Sequence, residues 1–133
     1  MATKRKLFIF IYSSIIVLIV FFSAYPLFDK FLYYNSEMTR LKAVDFEVFG
    51  KVQGVFFRKY TEEKAKSLNL VGWCENTSHQ TVKGQVQGPN DGIEEMKVWL
   101  SKKGSPKSHI DKAEFNNESE ISALTFTDFK IRR

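Results

Sequence analysis

From Leu7 to Phe28 the chain runs 22 residues without a single charged side chain. At ~1.5 Å per helical residue, such a stretch is long enough to cross a hydrocarbon core. Lys4, Arg5 and Lys6 precede it, the basic flank expected of a signal peptide or a signal anchor. A cleavable signal needs small residues ahead of the cut, whereas Phe22-Ser23-Ala24 places a bulky ring there. The run therefore reads as an uncleaved single-pass transmembrane segment, with a cleaved signal and an interfacial or buried helix as the competing readings. Lys30, Arg40 and Lys42 follow the span closely, so the positive charges before and after it are almost balanced and orient it weakly.

This segment partitions the chain. Residues 1–6 are a basic flank, 7–28 the span, 29–42 a polar linker and 43–133 a globular domain. Tyr33 and Tyr34 stand where ring side chains favour the headgroup level, and a chain begun at Met38 would be a soluble domain without the anchor. Of the net charge of +5, about +3 belongs to the part after Glu37. That excess suits small anionic substrates or a membrane surface and is too mild to signal nucleic acid. Cys74 is the only cysteine, which excludes an internal disulfide and leaves no metal-ligand spacing.

Within the domain the pattern alternates between strand and helix. Val44, Phe46 and Val48 face one way and Asp45 and Glu47 the other, a half-buried strand. Gly50 and Gly54 interrupt it, then Phe57, Thr61, Ala65 and Leu68 recur at helical spacing up to Asn69. Leu70–Glu75 and Thr81–Gln87 read as a hairpin around the turn residues 76–80. A second helix follows Gly88-Pro89-Asn90-Asp91, with Asp91 and Glu94 spaced as a capping box and Gly104 and Pro106 as its stop. Two extended stretches, His109–Phe115 and Leu124–Ile131, come last, separated by a polar turn at Asn116-Asn117-Glu118. Strand–helix–strand–strand–helix–strand plus a final strand is an α+β order. It predicts a two-layer sandwich, one antiparallel sheet with both helices on one face.

The chemistry is concentrated where the first strand passes into the first domain helix. A glycine-flanked turn feeding a helix lines up backbone N–H groups as an anion cradle. Arg58, near the helix start, can fork onto the same anion. Taken alone the signal is modest, since an Arg in that position is more often merely solvated, and Asn76 in a turn more often serves its own backbone. His79 and His109 fit no metal spacing. Trp73 and Trp99 read as core residues, and Lys102, Lys103 and Lys107 as a solvated basic face.

Four stretches change the weight of that signal. They are Gly50-Lys51-Val52-Gln53-Gly54-Val55-Phe56-Phe57-Arg58, Leu70 to Asn76, Gly84 to Pro89, and Gly104 to Lys112. Together they resemble the signature of the acylphosphatase family over essentially everything after the linker. The resemblance implies a ferredoxin-like fold, hydrolysis of small acyl phosphates without metal or cofactor, and a monomer. It implies that the backbone of Gly50, Lys51, Val52, Gln53, Gly54, Val55 and Phe56 cradles the phosphate, that Arg58 holds it, and that Asn76 positions the attacking water. The aspartyl phosphate of a membrane ion pump is a further substrate of this class, and a cytosolic domain would meet such substrates. One departure stands out: the family has a glycine in the hairpin turn where this chain has Gln80. If the turn needs φ > 0, the substitution costs on the order of 1 kcal/mol.

Two rival functions follow from the same residues. A non-catalytic anion- or protein-binding domain would keep the fold, but the presence of both Arg58 and Asn76 argues against it. An RNA-recognition module shares the strand–helix order but needs aromatic side chains on its central strands. The stretch Val82–Val86 has none, so no nucleic-acid partner is expected.

Overall fold

The computed structural model describes the backbone of residues 2–133 and the side chains from residue 17 onward, position 22 excepted. The side chains of the basic flank at Lys4, Arg5 and Lys6, and of the first part of the apolar run, lie outside those described. Two compact units make up the chain, Met1–Glu37 and Met38–Arg133. The first is built on helix α1, Ala2–Thr39, which passes through Pro26. Its described apolar side chains from Val17 to Tyr34 are exposed. The stretch expected as a linker, 29–42, is instead helical up to Thr39, and strand β1 begins at Leu41. Polar residues such as Asp29 and Lys30 are tolerated on the exposed face of a helix.

The second unit contains β1 (Leu41–Lys51), α2 (Phe57–Ser67), β2 (Val71–Asn76), β3 (Val82–Pro89), α3 (Asn90–Val98), β4 (His109–Glu120) and β5 (Phe129–Ile131). One sheet has the order β4-β1-β3-β2-β5. The first four strands pair antiparallel, but β5 lies parallel to β2, so the sheet is mixed and not wholly antiparallel as expected. Alternation along β1 does what period two requires. Val44, Phe46 and Val48 are buried, while Asp45 faces out and accepts hydrogen bonds from Gln85 Nε2 at 2.7 Å and Asn117 Nδ2 at 2.9 Å. Phe46 lies opposite Gly84 of β3, and any Cβ at Gly84 would sit 2.6 Å from the Phe46 ring and collide with the Trp73 carbonyl. The bare glycine is what lets that ring fill the core.

Both helices pack on the same side of the sheet. Phe57 of α2 meets Trp99 with ring centroids 5.6 Å apart, and Lys64 pairs with Glu95 at 2.8 Å. Phe57, Thr61 and Ala65 form the buried stripe of α2; Ile93 and Met96 form that of α3. Each fully buried large apolar side chain contributes about 1.5–3 kcal/mol by leaving water. Helix α2 ends where Asn69 turns left-handed at φ 56°, as the sequence suggests.

The second domain helix begins differently from the expected capping box. Pro89 occupies the N-cap and no side chain caps the end; the Asp91 carboxylate accepts from the Gly92 N–H instead. Its last turn, Trp99–Lys103, widens to π geometry before Gly104 closes it. The expected polar turn at Asn116-Asn117-Glu118 is not a turn. β4 runs through it, with a register shift against Ala43/Asp45 and Asn117 at φ 54°, so these residues form a bulge. The chain reverses later, between Ile121 and Asp128. There Thr125 exchanges hydrogen bonds with the buried Gln87 side chain, at 2.7 and 2.9 Å.

Candidate functional site

β1 shifts register against β4 at Gly50, whose φ of 127° brings its backbone against the His109 carbonyl so closely that no Cβ would fit, and it ends at Lys51. The chain then loops through Val52 to Phe56 before α2 starts. Val52 and Val55 sink into the core and pin the loop from below, while Gly54 at φ 73° and Phe56 at φ 57° bend it outward. A phenylalanine in the left-handed region is uncommon and strained, at a cost of about 1–2 kcal/mol. Phe56 is nonetheless 72% exposed, so its ring does not offset that cost by burial. Such outliers concentrate at functional sites.

The loop, the first turn of α2 and the end of β2 enclose a cleft of about 490 Å³, lined by Val52, Gly54, Phe56, Phe57, Arg58, Lys59, Asn76, Ile131 and Arg133. Arg58 and Asn76 thus line one cleft although 18 positions separate them in sequence. Arg58 is half-buried, at the N-terminal end of α2 where unpaired backbone N–H groups carry partial positive charge. The Asn76 Oδ1 atom is buried and has no hydrogen-bond partner in the domain. An unpaired buried acceptor costs free energy comparable to a lost hydrogen bond, so this oxygen is held at a cost within the fold.

Of the loop residues singled out in the sequence, Val52, Gly54 and Phe56 line the cleft; Gly50, Lys51, Gln53 and Val55 do not. Gln53 turns its amide the other way, donating from Nε2 to the carbonyls of Thr77 and Thr81, both at 2.9 Å. Lys59, Ile131 and Arg133 line the cleft without any sequence signal. β5 brings the last two there by pairing with β2, where the Arg132 N–H donates to the Cys74 carbonyl at 2.8 Å. Cys74 lies behind Arg58 in the core, and burial pushes its thiol up to about 12, against the opposing pull of the Arg58 charge. Trp73, expected in the core, is instead on the outer face of the sheet under the Arg132 guanidinium, 3.9 Å from the ring centroid. His79 and His109 both lie outside the cleft.

A family model described as Acylphosphatase matches residues 44–131. The chain belongs to the acylphosphatase family. Acylphosphatase-1 of Gallus gallus is 61% identical over 93 residues, which are 70% of this chain and 94% of that protein. Acylphosphatase-2 of Homo sapiens is 59% identical over 97 residues, 73% of this chain and 98% of that one. The solved acylphosphatase of Coxiella burnetii superposes with a TM-score of 0.61 at 35% identity, covering 70% of this chain and 94% of its own. In these relatives the acylphosphatase domain makes up nearly the whole protein, so it stands as a folding unit without a partner domain. Here the same domain follows helix α1. Its hairpin turn carries Gln80 at φ 66°, the left-handed conformation for which glycine is favoured.

Proposed function

We propose that this chain hydrolyses acyl phosphates to a carboxylate and inorganic phosphate. Arg58 and the backbone of Gly50–Phe56 hold the phosphoryl group, and Asn76 positions the attacking water. The observation that carries the reading is that Arg58, at the start of α2, and Asn76, at the end of β2, line one cleft with Val52, Gly54 and Phe56 of the glycine-flanked loop. A water donating one hydrogen to the Asn76 Oδ1 is held with its lone pair free for phosphorus. The water oxygen bonds to phosphorus as the P–O bond to the acyl group breaks, and the carboxylate leaves with the electron pair. Its conjugate acid has a pKa of about 4, so the leaving group needs no proton at neutral pH. What remains is to spread charge over the phosphoryl oxygens and place water in line, work that one guanidinium, a helix start and one carboxamide can perform. The water's proton passes to a phosphoryl oxygen and leaves with the product.

The test is steady-state hydrolysis of benzoyl phosphate by residues 38–133 with EDTA present. Arg58→Ala and Asn76→Ala should each lose about 10²–10³-fold in kcat/KM while keeping the wild-type far-UV spectrum. An inactive folded wild type, or an Arg58→Ala variant with full rate, would overturn the assignment.

We further infer that residues 7–28 anchor the domain of residues 43–133 in a membrane as a single pass, with the domain in the cytosol and a soluble form begun at Met38. Support comes from the 22 residues Leu7–Phe28, which carry no charge, and from the exposure of the described apolar side chains between Val17 and Phe28. A tethered domain would reach small acyl phosphates and the aspartyl phosphate of ion pumps alike. Alkaline carbonate extraction and the intact mass of the membrane-bound chain check this. Release by carbonate, or a mature chain lacking the first 24 or so residues as a cleaved signal would leave it, sinks the anchor.

A further inference from the structure

We propose that the Gln53 side chain is a positioning residue that sets the placement of Asn76, rather than a ligand of the phosphate. The proposal rests on Asn76 acting on the attacking water. Gln53 sits in the middle of the loop assigned to the phosphate, yet its side chain leaves the cleft and bridges to the other wall. Its Nε2 carries two hydrogens and meets two carbonyls, those of Thr77 and Thr81, each at 2.9 Å. Only the NH₂ end can face two carbonyl oxygens, so the amide has one orientation. Those carbonyls bracket the turn that begins immediately after Asn76.

The turn is tied within itself and to the sheet, and the strut adds its link to the phosphate loop. It holds Gln80 in the left-handed region. Its internal ties are the Thr77 N–H on the Thr81 carbonyl at 2.9 Å, the contact between the two threonine hydroxyls at 2.6 Å, and the longer bonds that the Thr77 hydroxyl accepts from the His79 and Thr81 N–H groups at 3.2 and 3.3 Å. On the far side, the Thr81 hydroxyl donates to Glu47 Oε1 at 2.6 Å. Glu47 ties the turn to β1 and the sheet; Gln53 alone among the described side chains ties it to the phosphate loop. The placement of Asn76 relative to a bound phosphoryl group is therefore set by the β2–β3 ladder, where Asn76 pairs with Val82, together with the Gln53 amide that ties this hairpin to the phosphate loop. A displacement of about 1 Å of a group that orients a reactant can cost on the order of 100-fold in rate. Phosphate affinity resides in Arg58 and the loop backbone, which Gln53 does not touch through its side chain.

Two variants of residues 38–133 separate positioning from a merely structural role. Gln53→Leu removes both donors; kcat for benzoyl phosphate should fall ten- to a hundred-fold, with KM and competitive inhibition by inorganic phosphate unchanged. Gln53→Glu places a carboxylate against two carbonyls, a repulsion that protonation relieves by restoring one donor. Its rate relative to wild type should therefore rise as pH falls from ~8 to ~5, approaching the range where a glutamate binds a proton. Weaker phosphate inhibition in step with the lost kcat would assign Gln53 to the cradle and overturn the proposal. So would an unchanged kcat in Gln53→Leu, or a pH-independent ratio for Gln53→Glu. A wild type that fails to turn over benzoyl phosphate would instead strike at the hydrolase reading itself.

Discussion

Gln80 holds φ at 66° in an exposed turn, and its side chain makes no hydrogen bond among those described. The left-handed conformation costs a residue with a Cβ about 1–2 kcal/mol. Glycine escapes that cost but brings an unfolded chain with more freedom to lose, an offset of roughly 0.5–1 kcal/mol. Gln80→Gly should therefore stabilise the domain by about 0.5–1 kcal/mol. In a unit the size of Met38–Arg133, a change of 1 kcal/mol moves Tm by about 4–8 °C, so the expected rise is roughly 2–8 °C. Thermal and urea unfolding of residues 38–133, followed by far-UV circular dichroism, reads this directly. Gln80→Ala is the control: it keeps the Cβ and the strain, discards the rest of the side chain, and should melt close to wild type. A glycine variant no more stable than the alanine variant would refute the strain argument. An alanine variant as stabilised as the glycine would move the effect from backbone to side chain.

Arg58→Lys keeps the charge but loses the planar fork. It should raise KM and weaken inhibition by inorganic phosphate more than it lowers the signal of folding, measured by steady-state kinetics beside circular dichroism. The Cys74 thiol, held at about 12 against an ordinary 9.0, stays protonated in the fold while the unfolded chain ionises. Its contribution to stability is therefore intact below pH 9 and is lost progressively as pH rises from 9 toward 12. A thiol reagent at pH 8 should leave the native domain unlabelled and react fully in denaturant; urea midpoints of Cys74→Ala and wild type should converge above pH 9. Gly84→Ala forces a Cβ into the Phe46 ring and the Trp73 carbonyl. Overpacking of this kind costs about 1–3 kcal/mol, read as a lower urea midpoint with unchanged slope.

The elements of the domain were largely legible in the sequence because their apolar residues obey a local period. Val44, Phe46 and Val48 declare a strand by alternation alone, and Phe57, Thr61 and Ala65 a helix by spacing. Where the local signal was polar, the reading faltered. Asn116-Asn117 carries turn chemistry, but pairing with β1 across a bulge keeps those residues in β4. Asp91 and Glu94 are spaced for a cap, but Pro89 already fixes the start of α3 with its own φ of −57°. Residues 29–42 looked like a linker because nothing in an exposed helix needs to be apolar.

Arg58, Asn76 and the glycine-flanked loop could be singled out from sequence chiefly through their resemblance to the acylphosphatase signature, since two glycines, an Arg at a helix start and an Asn in a turn are by themselves a modest signal; Gly50 and Gly54 do take positive φ. The motif also announced the family. It could not reveal that Gln53 turns away from the cleft, that Trp73 lies on the open face under Arg132, or that Ile131 and Arg133 complete the cleft wall. Each of these depends on strands distant in sequence coming side by side. β5 reaches the site only by pairing with β2 more than 50 residues earlier, and the Gln53 carbonyl partners lie 24 and 28 positions away. Local periodicity records which residues seek the core. Which of them meet is decided by sheet order, and that is a property of the whole fold.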